Sequence, residues 1–155
     1  MNTDTRTVAP RTICRRLVLA LRRDPLARIA APADAIRMAD QLLTRTAISD
    51  PGSRLWCSIA LEPLASLILA ASARGSGQGT HWVHTTSATL HGADRDDTAW
   101  DEAQSACSQR RASEPMRTAL ARLRCMDTRQ RRSVTRVMVR ATNPAKPPRV
   151  HRSVR

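Results

Sequence analysis

Ser53-Arg54-Leu55-Trp56-Cys57-Ser58-Ile59-Ala60-Leu61-Glu62-Pro63-Leu64-Ala65-Ser66-Leu67-Ile68-Leu69-Ala70-Ala71 is the stretch on which the fold turns. It follows the turn signal Asp50-Pro51-Gly52 and opens on Ser53, a residue type that caps helices by accepting from free amides. Trp56, Ile59, Ala60, Leu64, Leu67, Ile68 and Ala71 recur at helical spacing on one face, which makes this the helix the rest of the chain must bury. Pro63 removes one backbone hydrogen bond from that pattern, and the expected consequence is a break at Glu62. Leu55 to Ala71 is also the most apolar segment of the chain. It falls short of the roughly 20 residues that span a bilayer and carries Glu62 and Pro63 at its middle, so a core helix is expected there and no membrane span.

Upstream, Pro32 precedes Ile36, Ala39, Leu42 and Leu43 at helical spacing, giving a second amphipathic helix expected to end near Thr44. Downstream, Gly75-Ser76-Gly77-Gln78-Gly79 stops the central helix and a new periodic piece begins at Thr80 to Trp82. Ser87 to Asp97 is polar and reads as a loop. Trp100, Ala103 and Cys107 share a helical face, and Pro115 opens a helix with Ala119, Leu120 and Leu123 inward. Asp127-Thr128-Arg129-Gln130 has the form of a capping box. The helix it starts turns Val134, Val137, Met138 and Ala141 inward and Arg129, Arg132, Arg136 and Arg140 outward, and Asn143-Pro144 stops it. The fold class is therefore mainly α, a small bundle of about four to six helices over residues 23 to 144. A flexible basic lead (1–22) and a disordered basic tail (145–155) flank it.

The 155 residues suit one small domain with tails and rule out two large ones. Leu, Ile and Val make up only 28 residues and Phe and Tyr are absent, so the core is thin and Ala-rich. The basic residues are 25 Arg and the single Lys146. The missing aromatics are those with AT-rich codons, so part of the Arg excess follows codon bias. The location of the charge says more than its total of +13. From Arg117 onward twelve cations face one acid, Asp127, a net +11, whereas residues 1 to 116 carry fourteen cations and twelve acids, a net +2. A helix with an arginine stripe followed by a basic tail suits phosphate contacts, which release counterions and give salt-dependent affinity without base reading. Arg129, Arg131, Arg132, Arg136 and Arg140 are the candidate contacts to nucleic acid or an acidic partner.

Other chemistries find less support. Gly75-x-Gly77-x-Gly79 suggests a phosphate cradle but lacks the lysine of a nucleotide-binding loop, and it follows a helix where a dinucleotide site needs a strand. His81, His84 and His91, with Cys107, match no zinc spacing, and Asp94, Asp96 and Asp97 lack the glycine and glutamate of a calcium loop. Serines and cysteines are plentiful without a nucleophile elbow or a paired base. No cofactor, no metal and no catalysis are expected. Cys14, Cys57, Cys107 and Cys125 are scattered, and the apolar run between Arg16 and Arg22 is five residues, below the length of a signal-peptide core. A reduced, cytoplasmic protein is the expectation.

Asp24-Pro25-Leu26, the helix from Ala33 to Leu43, Glu62-Pro63-Leu64-Ala65, Leu69-Ala70-Ala71-Ser72, Gly77-x-Gly79-x-x-Trp82-Val83, Trp100 and Asp127-x-Arg129-Gln130-Arg131-x-Ser133-Val134 follow one another in order. This succession resembles the helical insert, or all-alpha domain, of actinobacterial TraG-like and FtsK-like conjugative coupling proteins of type IV secretion. The likeness runs from about Arg23 to Pro144. It implies a helical module acting in DNA transfer that contacts a relaxase, a relaxosome protein, a coupling-protein motor or DNA. Leu64, Leu69, Trp82, Leu120 and Val134 would be core, and Arg129 and Arg131 the basic part of the last motif. The family's ATPase motor motifs have no counterpart in this sequence, and Ala145 stands where an aromatic would follow Asn143-Pro144. ATP hydrolysis is accordingly not implied. Two other readings stay open: a basic protein that binds nucleic acid without specificity, and a gene remnant.

Overall fold

The computed structural model describes residues 24–108 and 112–144. The expected basic lead and tail lie outside the described residues. The described chain is mainly helical, with six α-helices and no strand among the described residues, as the hydrophobic periodicity predicted. After a single turn at Pro25–Arg28 come α1 (Pro32–Ser49), a turn at Pro51–Ser53, α2 (Arg54–Ala71), α3 (Gly79–Gly92), α4 (Thr98–Cys107), α5 (Glu114–Cys125) and α6 (Thr128–Thr142).

Helix α2 is the axis, in contact with each of the other five helices. Every residue from Pro63 to Ser72 is buried, so its C-terminal half has no solvent face at all. Such a helix must be sheathed by amphipathic ones. Alanines make the sheath close: Ala35 and Ala39 of α1, Ala60 and Ala65 of α2 and Ala103 of α4 are buried with the larger Leu64, Leu67, Ile68, Trp100, Leu120, Leu123 and Met138. Pro51–Ala71 is long and apolar enough, by length and composition, to cross a membrane, and most of it is covered by the bundle.

The expected break at Glu62 is absent. Helix α2 runs unbroken through Pro63, which is itself buried. An interior proline costs on the order of 3 kcal/mol. Full burial of a leucine or isoleucine returns about 1.5–3 kcal/mol, and Leu64, Leu67 and Ile68 on the following turns are all buried. The Ser66 hydroxyl adds a cross-link, shared between the carbonyls of Glu62 (2.8 Å) and Met116 of α5 (2.7 Å). Of the face read from the sequence, Trp56 and Ile59 are only partly buried, because the sheath closes around the later turns.

Two other boundaries move. Helix α1 continues past Thr44 to Ser49 because Ala47 still packs on the core and the Asp50 amide still donates to the Thr46 carbonyl (2.9 Å). Pro51 then ends it. Half of the expected loop at Ser87 to Asp97 is helix: Ser87 and Leu90 are buried one and two turns beyond Val83. The Ser87 hydroxyl donates to the Val83 carbonyl (2.8 Å), which removes the local competition that makes serine a loop former.

The glycine loop is held by Asp24. Its Oδ1 accepts from the Leu26 amide (2.8 Å), and its Oδ2 accepts from the amide (2.7 Å) and hydroxyl (2.9 Å) of Thr80 at the start of α3. A Cβ on Gly79 would stand 2.3 Å from that same oxygen, and Gly79 has a φ of +73°, so a side chain is excluded twice over. One carboxylate thus caps the opening turn and α3 together. Replacing it in Asp24→Ala is expected to lower stability by about 1–2 kcal/mol, the scale of a lost cap. Urea unfolding checks this through a lower midpoint at unchanged slope; an unmoved midpoint would deny Asp24 this role.

Candidate nucleic-acid interface

Helix α6 begins where Asp127 accepts from the amides of Arg129 (2.9 Å) and Gln130 (3.0 Å). Of the anticipated capping box, Gln130 contributes its backbone amide. From that start Val134, Val137 and Met138 turn into the core and Ala141 packs at its edge. Arg129, Arg132, Arg136 and Arg140 come out exposed on the opposite face.

Arg131 does not belong with them. It is 4% exposed, and its guanidinium donates to the carbonyls of Met126 (3.2 Å) and Arg124 (3.4 Å) at the end of α5. A cation there satisfies carbonyls that the helix end leaves open and sits at the negative end of its dipole. Arg131 is a structural strut between α5 and α6, and the sequence-based assignment of it as a ligand contact is corrected. The signal was present: Arg131, Val134 and Met138 are spaced i, i+3, i+7, on the buried face.

The remaining arginines divide by partner. Arg37 pairs with Asp34, Arg117 with Glu114, Arg122 with Glu62, and Arg124 with Asp101 at 2.6 Å. Arg140 reaches Asp50 at 2.7 Å, tying α6 to the end of α1. Arg129, Arg132 and Arg136 make no ion pair among the described residues. The reason lies in which helices are neighbours. Helix α6 packs along α3, and neither helix contains an aspartate or glutamate. Neither helix of the α3–α6 side thus contributes an acid, and three of its guanidinium groups have no ion pair among the described residues; the exposed acids at its ends are Asp127 ahead of α6 and Asp94, Asp96 and Asp97 after α3.

Histidines line the seam between these two helices. His84 Nδ1 lies 3.2 Å from the Thr142 hydroxyl and His91 Nδ1 lies 3.0 Å from the Thr135 hydroxyl. Both pairs are spaced by seven residues on antiparallel helices. The Thr135 hydroxyl also lies within donating reach of the Arg131 (3.0 Å) and Arg132 (3.3 Å) carbonyls; with its proton given there, it accepts from His91 Nδ1–H and leaves Nε2 to take up a second proton. Burial, then the charges of Arg136 and Arg132, hold His91 below the ordinary histidine value, with the Arg132 carbonyl partly opposing them.

The other candidates are placed apart. His81 is exposed, and among the described residues no three His, Cys, Asp or Glu side chains converge as a metal site. Asp94, Asp96 and Asp97 are exposed after α3, where Asp97 caps α4 by accepting from the Ala99 amide (2.9 Å). Cys57 and Cys107 are buried, and burial pushes the Cys107 thiol up to about 12. An open groove between α1 and α2, lined by Leu43, Ala47, Cys57 and Leu61, has Asp40 and Arg54 at its edge. The glycine loop turns its helix N-terminus toward the protein's own anion, Asp24.

No family model, characterised protein or solved structure matches the chain.

Two adjacent substitutions separate strut from surface. Arg131→Ala leaves the part-buried carbonyls of Arg124 and Met126 without that donor and is expected to cost about 1.5–3 kcal/mol, whereas Arg132→Ala stays within roughly 0.5 kcal/mol. Equal effects in thermal melts would contradict the assignment. A second expectation concerns pH. Because folding lowers the His91 pKa, the unfolded chain takes up the proton first. This contribution to stability is complete above the usual value of about 6.5 and is lost as pH falls below it. The urea midpoint should drop between pH 7.5 and 5.5, and drop less in His91→Gln.

Proposed function

We propose that the chain is a non-enzymatic helical module that holds the phosphate backbone of DNA against the exposed face of α6. The observation that carries this reading is the segregation of charge. Acids pair with Arg37, Arg117, Arg122 and Arg124, and the exposed Arg28, Arg45, Arg54, Arg74 and Arg95 stand singly on other elements, whereas Arg129, Arg132 and Arg136 share one helix face without an ion pair among the described residues. In sequence the same helix leads directly into Lys146, Arg149, Arg152 and Arg155. Arg140 adds a fourth contact by exchange, since an exposed ion pair of the Arg140–Asp50 kind is worth no more than about 1 kcal/mol. Contacts of this sort give affinity and orientation and carry no base sequence.

A narrower reading places the module in conjugative DNA transfer, in the cytoplasm, beside a relaxase or a coupling-protein motor. It draws on the ordered succession of motifs, two of which, Asp24-Pro25-Leu26 and Gly77-x-Gly79-x-x-Trp82, adjoin at the contact of Asp24 with Gly79 and Thr80. Co-purification with the relaxase or motor encoded on the same element tests it, and failure with both removes it.

The main reading is tested by fluorescence anisotropy of short duplex DNA titrated with the full chain at several salt concentrations. Each neutralised phosphate contributes about −0.9 to the log–log slope. The triple variant Arg129→Ala, Arg132→Ala, Arg136→Ala should therefore weaken binding and flatten the slope by roughly 2.7. An unchanged slope would move the contact off α6.

A further inference from the structure

We infer that His91 joins Arg132 and Arg136 in a single phosphate-binding site across the α3–α6 seam, so that the chain takes up a proton as it binds a phosphodiester. The inference rests on the reading of α6 as the phosphate-binding face and adds to it a residue from a second helix.

The geometry is specific. The contact of His91 Nδ1 with the Thr135 hydroxyl fixes the ring beside the turn of α6 that carries Arg132 and Arg136, three residues before Thr135 and one after it. With Nδ1 engaged, Nε2 is the atom available to a ligand oxygen. His91 is partly exposed, Arg132 and Arg136 are exposed, and both guanidinium charges act on the imidazole. Without a ligand, partial desolvation and then the two cations disfavour the protonated ring. A phosphate bound between the arginines supplies the missing counter-charge, and the imidazolium then becomes a third donor to the same group.

Nothing else that faces His91 supplies that charge. Helix α3 contains no acid. From α2, Glu62 is occupied by Arg122 and Arg54 lies at the far N-terminal end; from α4, Asp101 is occupied by Arg124 and Glu102 is exposed. Asp24 and Arg28 of the opening turn lie at the opposite end of α3, beside Thr80. Asp94, Asp96 and Asp97 are exposed beyond its C-terminus, and none of them acts on the ring.

Proton uptake and phosphate binding are then reciprocal, as linked equilibria must be. Affinity for duplex DNA should rise as pH falls below about 6.5, the ordinary histidine value. The test is the same anisotropy titration at pH 7.5 and 5.5 with the wild-type chain and His91→Gln, folding being checked by circular dichroism at both values. The other three histidines are common to both proteins, so the readout is the difference between them. The expected result is a several-fold greater gain at pH 5.5 for the wild type, with its log–log slope steeper by up to about 0.9, one added phosphate contact. His84→Gln, altered one helical repeat away at Thr142, should keep the full gain. Binding at pH 7.5 with equal gains in wild type and His91→Gln would overturn the inference and leave the α6 reading intact. Absence of binding at both pH values would overturn both.

Discussion

A helix without a solvent face constrains everything around it. From Pro63 to Ser72 the central helix is buried on all sides, and no single partner can do that. Five helices are needed to close the sheath, and each spends its apolar stripe on α2 or on a neighbour that covers α2. This is how a chain with few large apolar residues assembles a core. Small alanines allow close approach, and the few large side chains, led by Trp100, sit where several helices meet. The buried Pro63 is tolerated for the same reason, since the helix is held from outside as well as by its own hydrogen bonds.

The polar elements act as fasteners at the ends of this sheath. Asp24 closes the opening turn onto α3, Asp127 starts α6, and Arg131 fills the open carbonyls at the end of α5. In each case a charged group meets the opposite partial charge of a helix terminus, where such contacts are strongest. The glycines at 77 and 79, both at positive φ, exist for the first of these closures. They let the chain turn tightly enough to bring the Thr80 amide onto the Asp24 carboxylate.

The same packing sets the electrostatics. Acids of α1, α2, α4 and α5 reach Arg37, Arg117, Arg122 and Arg124, whereas on its α3 side α6 meets a helix that has no acid to offer. The guanidinium groups of Arg129, Arg132 and Arg136 stay without an ion pair among the described residues and are exposed on the helix that also forms a histidine-lined seam with α3. The proposed contact to a phosphate backbone uses that charge alone and requires neither a pocket nor a recognition helix.

Much of this was legible in the residues. Periodicity and cap chemistry located the central helix, the Asp127 start and the outward stripe of Arg129, Arg132, Arg136 and Arg140, because these depend on local spacing. The continuity of α2 through Pro63, the extension of α3 through Ser87 and the burial of Arg131 depend instead on what packs against each position, and single-chain propensity has no access to that. Nothing in the sequence near Asp24 points to Thr80; only the fold brings them together. His84 and His91 matched no metal spacing, and the pairing of α3 with α6 made them a seam. The sequence by itself determined a small, arginine-rich helical protein with its positive charge gathered toward the last helix. The tertiary structure decided which of those arginines are spent on the fold and which face solvent, because only the juxtaposition of helices fixes the carbonyls and carboxylates each guanidinium can reach.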